Sequence, residues 1–195
     1  MLIMESKTEI RRAIRAKRRK LSEQAQQSAA QAIFKFVSPL PVFGDSQHIG
    51  VYLASDGEIS PHHLVELAWQ QGKSCYLPII DSKGENTMKF VHYTPDTEFF
   101  MNRYDIPEPV HDPEDLQDAN ILDLVLTPLV GFDEQGNRMG MGKGFYDRTF
   151  EFVRNTQKPF LMGLAHSCQR MDNLEPASWD IPLNGLATEQ QLLLF

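Results

Sequence analysis

The chain has 195 residues, of which 42% are hydrophobic and 23% are charged, a composition that is typical of globular domains. Its 12 glycines and 12 prolines are an average share, which excludes collagen-like and low-complexity classes. The longest apolar runs are far shorter than the roughly 20 residues that a membrane span requires. We therefore expect one soluble domain over residues 1–195.

The N-terminus and the cysteines predict a reducing compartment. The first residues lack the basic and apolar regions of a secretory signal. Two cysteines, Cys75 and Cys168, are too few for a disulfide framework or a four-cysteine zinc site. We therefore expect reduced thiols and a cytoplasmic location.

Charge is distributed unevenly along the chain. Residues 7–20 hold eight of the 19 basic residues and only one acidic residue, so they carry +7 in a chain whose net charge is −7. The remaining residues sum to −14, which argues against a general nucleic-acid binder. A single basic patch can still bind an anionic ligand.

Two helices are predicted at the start of the chain. Ser6 and Glu9 have the spacing of a capping box, so the first helix is expected to begin near Lys7. Its cations Lys7, Arg11, Arg15 and Arg18 lie within about 80° of one another, on a face separate from the apolar one. Ser22 is the expected N-cap of a second helix that ends before Pro39.

From residue 48 onward, strand and helix patterns alternate. Strands are predicted over residues 49–54, 75–80, 87–93, 122–129, 160–165 and 186–193, and helices over 61–72 and 145–156. The first strand, helix and strand form a unit of about 30 residues, which is typical of a parallel crossover. Residues 94–118, rich in proline and acidic residues, are expected to form a long irregular connection. The whole pattern indicates an open α/β fold that follows a helical pair.

A glycine-rich segment is the main candidate site. Five of the 12 glycines fall within residues 131–144, between a predicted buried strand and a predicted helix. Such a turn brings backbone N–H groups close to a phosphate, and Arg138, Lys143 and Arg148 add positive charge. Asp147 follows at a position suited to Mg²⁺, the usual companion of a nucleoside triphosphate. These residues predict a site for ATP.

The alternative interpretation of this segment is a flexible turn with solvated charges. The Walker pattern requires Ser or Thr after the lysine, where this chain has Gly144. The dinucleotide pattern requires a third glycine where this chain has Phe145. Neither general phosphate motif is therefore present.

The run GNRMGMGKGFYDR over residues 136–148 closely resembles the signature of the 5-formyltetrahydrofolate cyclo-ligase family. Further similar segments follow in the order of the family: KTEIR over 7–11, YLASDGEI over 52–59, NRYDIPEP over 102–109 and WDIP over 179–182. The resemblance spans nearly the whole chain. It implies a three-layer α/β/α domain with a mostly parallel sheet, and closure of 5-formyltetrahydrofolate to 5,10-methenyltetrahydrofolate with ATP and Mg²⁺.

The resemblance also implies site residues. Those expected to act in catalysis are Lys143, at the γ-phosphate, with Glu58 and Arg138. Those expected to bind the nucleotide are Lys7, Arg11, Arg138, Met139, Gly140, Met141, Gly142, Lys143, Gly144, Phe145 and Tyr146. Those expected to bind the folate are Leu53, Glu58, Tyr104, Met141, Gly142, Lys143, Gly144 and Phe145. Those expected to bind Mg²⁺ are Asp147 and Asp180, and Tyr52 and Tyr76 are further candidates for stacking on the pterin.

Blander interpretations compete with several of these roles. Lys7 and Arg11 alone would usually belong to a solvated face, Glu58 would be a turn residue, and Asp180 could cap a turn before Pro182. The further cations Arg12, Lys17, Arg18, Arg19 and Lys20 could attract a polyglutamylated folate, but we expect them to keep the helix soluble.

Two other classes of function also compete with the cyclo-ligase: an RNA-binding module and another ATP-dependent phosphotransferase. We expect small-molecule substrates, no nucleic-acid or membrane partner, and a monomer.

Overall fold

The computed structural model describes residues 6–80, 86–101, 107–156 and 158–195. Its helices are α1 (Lys7–Arg19), α2 (Glu23–Val37), α3 (Pro41–Asp45), α4 (His62–Gln70), α5 (Phe145–Thr149) and α6 (Val153–Thr156). Its strands are β1 (His48–Gly50), β2 (Ser74–Ile80), β3 (Met88–Tyr93), β4 (Phe99–Met101), β5 (Pro107–Pro109), β6 (Leu124–Pro128), β7 (Gly131–Phe132), β8 (Arg138–Met139), β9 (Phe160–Leu164), β10 (Gly185–Ala187) and β11 (Leu192–Leu194). Short 3₁₀ turns cover Pro113–Asp115, Ala119–Ile121 and Ser167–Gln169.

Within the described ranges, seven strands form the central sheet in the order β11-β10-β9-β6-β1-β2-β3. The strands from β10 to β2 in that order are parallel, while the edge strands β3 and β11 are antiparallel to their neighbours. The predicted α/β fold and mostly parallel sheet are confirmed. The pair β1 and β2, joined through α4, is the parallel crossover that the sequence predicted.

The alternating direction of side chains along the strands explains why a core lies on each face of the sheet. On β6, Leu124 and Leu126 join the core that packs under α2, α3 and α4, while Val125 joins a second core on the opposite face. Side chains of a strand point to opposite faces in turn, so a sheet that is covered on both sides has nearly continuous apolar strands. Phe150, after α5, belongs to the second core and is 0% exposed.

The caps at the start of the chain are those that the sequence predicted. The Ser6 amide donates to a Glu9 carboxylate oxygen at 2.8 Å, and the Glu9 amide donates to Ser6 Oγ at 3.3 Å. The backbone and side-chain hydrogen bonds from Ser6 lower the pKa of Glu9. Ser22 caps α2 by accepting from the Ala25 amide at 3.2 Å.

The strand predicted over residues 49–54 is shorter in the structure. β1 ends at Gly50, and only the Val51 amide continues the pairing, by donating to the Tyr76 carbonyl at 2.8 Å. The chain then enters a turn in which Asp56 and Gly57 have φ angles of 53° and 74°. These left-handed conformations are incompatible with a continuing strand.

The helix predicted over residues 145–156 was wrong in its extent. The structure has two short helices, α5 and α6, with Phe150 and Phe152 between them. The rings of these two residues are in contact, with centroids 6.2 Å apart, and both pack in the second core. Residues two apart point in different directions on a continuous helix, so the break allows both rings to reach that core.

Two further predictions need correction. The final strand predicted over residues 186–193 is a hairpin of β10 and β11, whose turn is closed by bonds from the Gln190 and Gln191 amides to Thr188 Oγ1. The connection over residues 94–118 contains the β4–β5 hairpin rather than only irregular chain. No helix in the described residues has the length and apolar character needed to cross a membrane.

The contrast between core and surface leucines gives a first prediction. Leu124 is 0% exposed in the centre of the sheet, whereas Leu194 on the edge strand is 61% exposed. We expect Leu124→Ala to lower the free energy of unfolding by about 2–5 kcal/mol, because it leaves a cavity in packed surroundings. Leu194→Ala, the same chemical change, should cost well under about 1 kcal/mol in the same urea titration. Equal losses would contradict the assignment of Leu124 to the core.

Candidate active site

The predicted site residues follow two neighbouring strands. Leu53 and Glu58 come after β1, and the glycine-rich segment comes after β6, which pairs with β1 in parallel. From β1 the chain continues to β2 on one side, while β6, β9 and β10 extend the sheet on the other. Ligands of open α/β sheets bind beyond the carboxyl ends of the strands at such a switch point.

Helix α1 contacts the glycine-rich segment directly. Arg11 Nε donates to the Gly140 carbonyl at 2.8 Å. Gly142 has φ 94°, and a Cβ built there would lie 3.2 Å from the Arg11 guanidinium carbon, so glycine meets both the conformation and the close approach. The structure therefore brings the cationic helix and the segment together, as the site hypothesis requires. Lys7 lies exposed on the first turn of the same helix.

The segment itself is built as a hairpin followed by a loop. β7 and β8 pair in antiparallel fashion, and Met139 on β8 is 7% exposed. The buried carboxylate of Asp133 accepts from the amides of Gln135, Asn137 and Leu174, and from the side-chain amide of Asn137. Burial alone would raise the pKa of Asp133, but these bonds outweigh it and lower the pKa. Asp133 is a structural residue that the sequence prediction missed.

The loop after β8 presents its side chains to solvent. Met141 is 56% exposed, and Lys143 is also exposed. The Lys143 carbonyl accepts from Arg148 Nη1 at 2.7 Å, which ties the loop to helix α5. Gly144, with φ 69°, is the N-cap of that helix, and Phe145 and Tyr146 on its first turn pack partly against the second core.

Arg138, Asp147 and Ile181 form one polar cluster. Arg138 Nη2 donates to Asp147 Oδ1 at 2.6 Å, and Arg138 Nη1 donates to the Ile181 carbonyl. The Ile181 amide donates to the same Asp147 oxygen at 3.1 Å. The cluster places Asp147 beside the segment that carries Asp180. The Asp180 carboxylate accepts from the Ala177 amide at 2.8 Å, so it does cap a local turn.

Glu58 is held in the turn that follows β1. One carboxylate oxygen accepts from Arg18 Nη2 at 3.3 Å, and the other accepts from the Ser55 amide at 3.2 Å. Burial is the largest influence and raises the pKa of Glu58, while Arg18 and Ser55 oppose that rise. Tyr146 faces the same region, and burial raises its pKa despite a hydrogen bond with Thr127.

The expected solubility role was wrong for two of the five further cations, Arg18 and Arg19, which bind a carboxylate. Arg15, Arg18 and Arg19 all bind the Asp56 carboxylate, and Arg18 is 1% exposed. Burial alone would raise the pKa of Asp56, but the three guanidinium groups lower it to about 2. Arg18 follows Ile14 by one helical turn on the buried side of α1, and the Asp-Gly pair at 56–57 is a turn signal. Those two signals together could have identified the contact.

A network of polar side chains holds the 55–58 turn through hydrogen bonds. Gln26 Nε2 donates to the Gly57 carbonyl at 3.2 Å, and its oxygen bonds with His166 Nε2 at 2.9 Å. Gln169 Nε2 donates to the Leu129 carbonyl at 2.7 Å, next to the end of β6. Burial lowers the pKa of His166, consistent with a neutral ring inside this network.

The remaining candidates divide between the site and the core. Leu53 packs partly buried against the first core, beside the turn that holds Glu58. Tyr104 lies outside the described residues. Tyr52 donates its hydroxyl to the Ile59 carbonyl at 2.5 Å, and the Tyr76 hydroxyl bonds with His48 Nδ1 at 3.0 Å. Both rings are more than nine-tenths buried, so neither presents a face for stacking on a pterin.

An open cavity of about 570 Å³ lies elsewhere, at the β3 edge of the sheet. Its lining includes Tyr76 and His92 together with four acidic residues, Asp96, Glu98, Glu114 and Asp115. Of the described residues that the sequence predicted for the site, Tyr76 alone, a candidate for stacking on the pterin, lines this cavity. Its acidic wall would repel a triphosphate or a folate carboxylate.

Comparison with known proteins agrees with the geometry. The model of the 5-formyltetrahydrofolate cyclo-ligase family matches residues 3–189. The 5-formyltetrahydrofolate cyclo-ligase of Haemophilus influenzae is 38% identical over 180 residues, which are 92% of this chain and 95% of that protein. The 5-formyltetrahydrofolate cyclo-ligase of Escherichia coli K12 is 37% identical over 179 residues, which are 92% of this chain and 98% of that protein. The NMR structure of 5,10-methenyltetrahydrofolate synthetase from Aquifex aeolicus aligns with a TM-score of 0.80 and 28% identity, covering 96% of this chain and 92% of that one.

Two glycines with nearly the same φ angle give the second prediction. Gly57 has φ 74° and Gly72 has φ 70°. A Cβ at Gly57 would lie 3.2 Å from the Arg18 carbonyl oxygen, whereas one at Gly72 would meet no atom within 4 Å. Gly72→Ala should therefore cost only the left-handed strain of about 1–2 kcal/mol. Gly57→Ala should lower the free energy of unfolding by more in the same denaturation experiment, because the backbone at Arg18 must also move. Equal costs would contradict the close packing of α1 on this turn.

Proposed function

Because this chain belongs to the 5-formyltetrahydrofolate cyclo-ligase family, we propose that it closes 5-formyltetrahydrofolate to 5,10-methenyltetrahydrofolate, consuming ATP with Mg²⁺ and releasing ADP and phosphate. The observation that carries the proposal is the contact of Arg11 with Gly140, at 2.8 Å. It joins a helix of net positive charge to a glycine-rich loop, the combination that a triphosphate needs.

The chemistry explains why a nucleotide is needed. Ring closure requires N10 of the folate to attack the formyl carbon and the formyl oxygen to leave, and an oxide is a very poor leaving group. In the proposed course, the formyl oxygen attacks the γ-phosphorus, whose bond to the ADP oxygen breaks. N10 then attacks the formyl carbon, the carbon–oxygen bond breaks, and phosphate departs as N10 loses its proton. Such phosphoryl transfer depends mainly on positioning and charge neutralisation.

Residues on both sides of the α1–loop contact would hold the triphosphate. Lys7 and Arg11 would approach from α1, and the backbone of residues 139–146 would approach from the loop. Lys143 is exposed on that loop and carries the charge expected at the γ-phosphate. Both terminal nitrogens of the Arg138 guanidinium donate to protein partners, so Arg138 supports the loop as well as adding positive charge.

The donor set fits a magnesium ion that arrives with the nucleotide. Within the described ranges, no group of three or more metal-binding side chains forms a complete cage. Mg²⁺ in nucleotide sites usually takes one or two carboxylates, with phosphates and waters completing the octahedron. Asp147 and Asp180 would supply these carboxylates, and the ion would neutralise charge on the transferring phosphoryl group. The Arg138 contact to one Asp147 oxygen orients that carboxylate.

The folate would lie against the turn that follows β1. Leu53 offers an apolar surface there, and the Glu58 carboxylate would orient the nitrogen atoms of the pterin and of the formyl group. Closure creates a cation that is shared by N5, the bridging carbon and N10. An ionised Glu58 would stabilise this developing positive charge, because preorganised charges act strongly in partly desolvated sites. Tyr104 and the loop 141–145 stay predicted parts of the folate site, and a cytoplasmic location stays a prediction.

A direct assay tests the proposed activity. The purified protein, Mg²⁺ and ATP are incubated with 5-formyltetrahydrofolate, and the near-ultraviolet absorbance of the methenyl product is followed. We expect absorbance to rise only when both ATP and the folate are present. A folded protein that forms no methenyl product would refute the cyclo-ligase proposal.

Lys143 gives the third prediction. Lys143→Met should lower turnover on the order of 100-fold or more, since it removes one preorganised charge at the transferring phosphate. The melting temperature should stay nearly unchanged, because Lys143 is exposed on the loop. Lys35→Met, an identical substitution at an exposed position of α2, serves as the control and should keep turnover within about twofold. Near-normal turnover of Lys143→Met would show that the loop is assigned wrongly.

A further inference from the structure

Arg18 is a buried arginine that joins three parts of the chain. Its guanidinium donates to the Asp56 carbonyl at 2.8 Å, to Asp56 Oδ2 at 2.9 Å and to the Leu129 carbonyl at 3.0 Å. It also donates to Glu58 Oε1 at 3.3 Å. A planar guanidinium fixes the directions of all these bonds at once, which a lysine ammonium cannot do. One side chain thus links α1, the turn after β1 and the end of β6.

Arg18 differs from its neighbours in reaching Glu58. Arg15 and Arg19 bind the Asp56 carboxylate from positions that are 28% and 53% exposed, whereas the Arg18 side chain is 1% exposed. Glu58 is therefore held between Arg18 on one oxygen and the Ser55 amide on the other. The carboxylate has little freedom to turn.

We propose that Arg18 is a positioning residue for ring closure, which keeps the Glu58 carboxylate ionised and aimed at the folate subsite. This role rests on the proposed cyclo-ligase function. Arg18 is adjacent in sequence to exposed cations, and only the tertiary structure distinguishes its role from theirs. The Leu129 contact extends the same alignment to the strand end that leads into the nucleotide loop.

The charges around Glu58 give the direction of the effect. Arg18 faces it from α1, Asp56 lies in the same turn, and Tyr52 and Tyr146 face it from beyond β1 and from α5. Burial and the Asp56 charge raise the pKa of Glu58, and Arg18 is the charged group that lowers it. Without Arg18 the pKa should rise further, so Glu58 would be neutral over a wider range of pH. The acidic limb of kcat/KM for the folate should then move to higher pH.

The test compares Arg18→Lys and Arg18→Met with Arg15→Met, a matched control that removes a guanidinium from Asp56 but leaves the Arg18–Glu58 contact. For both Arg18 variants we expect kcat/KM for 5-formyltetrahydrofolate to fall on the order of tenfold or more, with KM for ATP within about twofold. The acidic limb, measured from about pH 5 to 9, should move upward by about half a unit or more in the Arg18 variants only. Melting temperatures report any general loss of folding.

A double-mutant cycle with Glu58→Gln isolates the positioning effect. If Arg18 acts through Glu58, adding Arg18→Lys to Glu58→Gln should cause almost no further loss. Additive losses of kcat/KM in the double mutant would overturn the proposal. Equal losses of kcat/KM in the Arg15 and Arg18 variants, without a shift of the acidic limb, would overturn it as well. If the Arg18 variants do not fold, Glu58→Asp takes their place, because its shorter side chain moves the carboxylate away from Arg18. An acidic limb of kcat/KM that stays at the wild-type pH in this variant would then overturn the proposal. A folded wild-type protein that forms no methenyl product refutes the proposed function itself. An active wild type, together with Arg18 variants whose acidic limb of kcat/KM stays at the wild-type pH, refutes only the role of Arg18.

Discussion

The structure depends on one buried interaction, the guanidinium of Arg18 shared by α1, the 55–58 turn and the end of β6. A buried charge is tolerated only when it is paired and its donors are satisfied, and Arg18 meets this condition through Asp56, Glu58 and a backbone carbonyl. The contact ties the C-terminal half of α1 to the 55–58 turn and to Leu129. Arg11 and Lys7 lie about two and three turns earlier on the same helix, where Arg11 contacts the glycine-rich loop.

This arrangement gives a chain with net charge −7 a local positive surface for the anionic ligands that we propose. Positive charge is concentrated on one helix, and the fold places that helix over the carboxyl ends of β1 and β6. Asp56 takes up part of this charge by binding three arginines, while Arg11 reaches the loop. The same helix is thus structural at its C-terminal half, and its N-terminal half faces the glycine-rich loop where we propose that the nucleotide binds.

Much of the fold followed from local patterns. The capping box at Ser6, the N-cap at Ser22 and the parallel pair β1 and β2 were predicted because each depends on residues close in sequence. The errors arose where distant contacts dominate. Phe150 and Phe152 break the predicted helix because both pack in one core, and β1 stops early because α1 holds the turn that follows it.

The candidate site shows the same division. The glycine-rich loop and its family resemblance were visible in the sequence, since the turn chemistry and the order of motifs are local properties. The cation stripe did not distinguish Arg18 from the exposed cations beside it, although its position one turn after Ile14 and the Asp-Gly turn signal point to the contact. The network of Gln26 and His166 was invisible because its members come from separate segments of the chain. Asp133 was missed although most of its bonds come from Gln135 and Asn137 nearby.

The sequence by itself determined the fold class and the family, and it identified the segment that we propose for phosphate chemistry, because periodicity and motif spacing are properties of neighbouring residues. Only the tertiary structure decided which arginines are buried, which carboxylates they bind and which tyrosines belong to the core. Those outcomes depend on the burial of charged and polar groups, and burial is defined only when separate segments of the chain pack together.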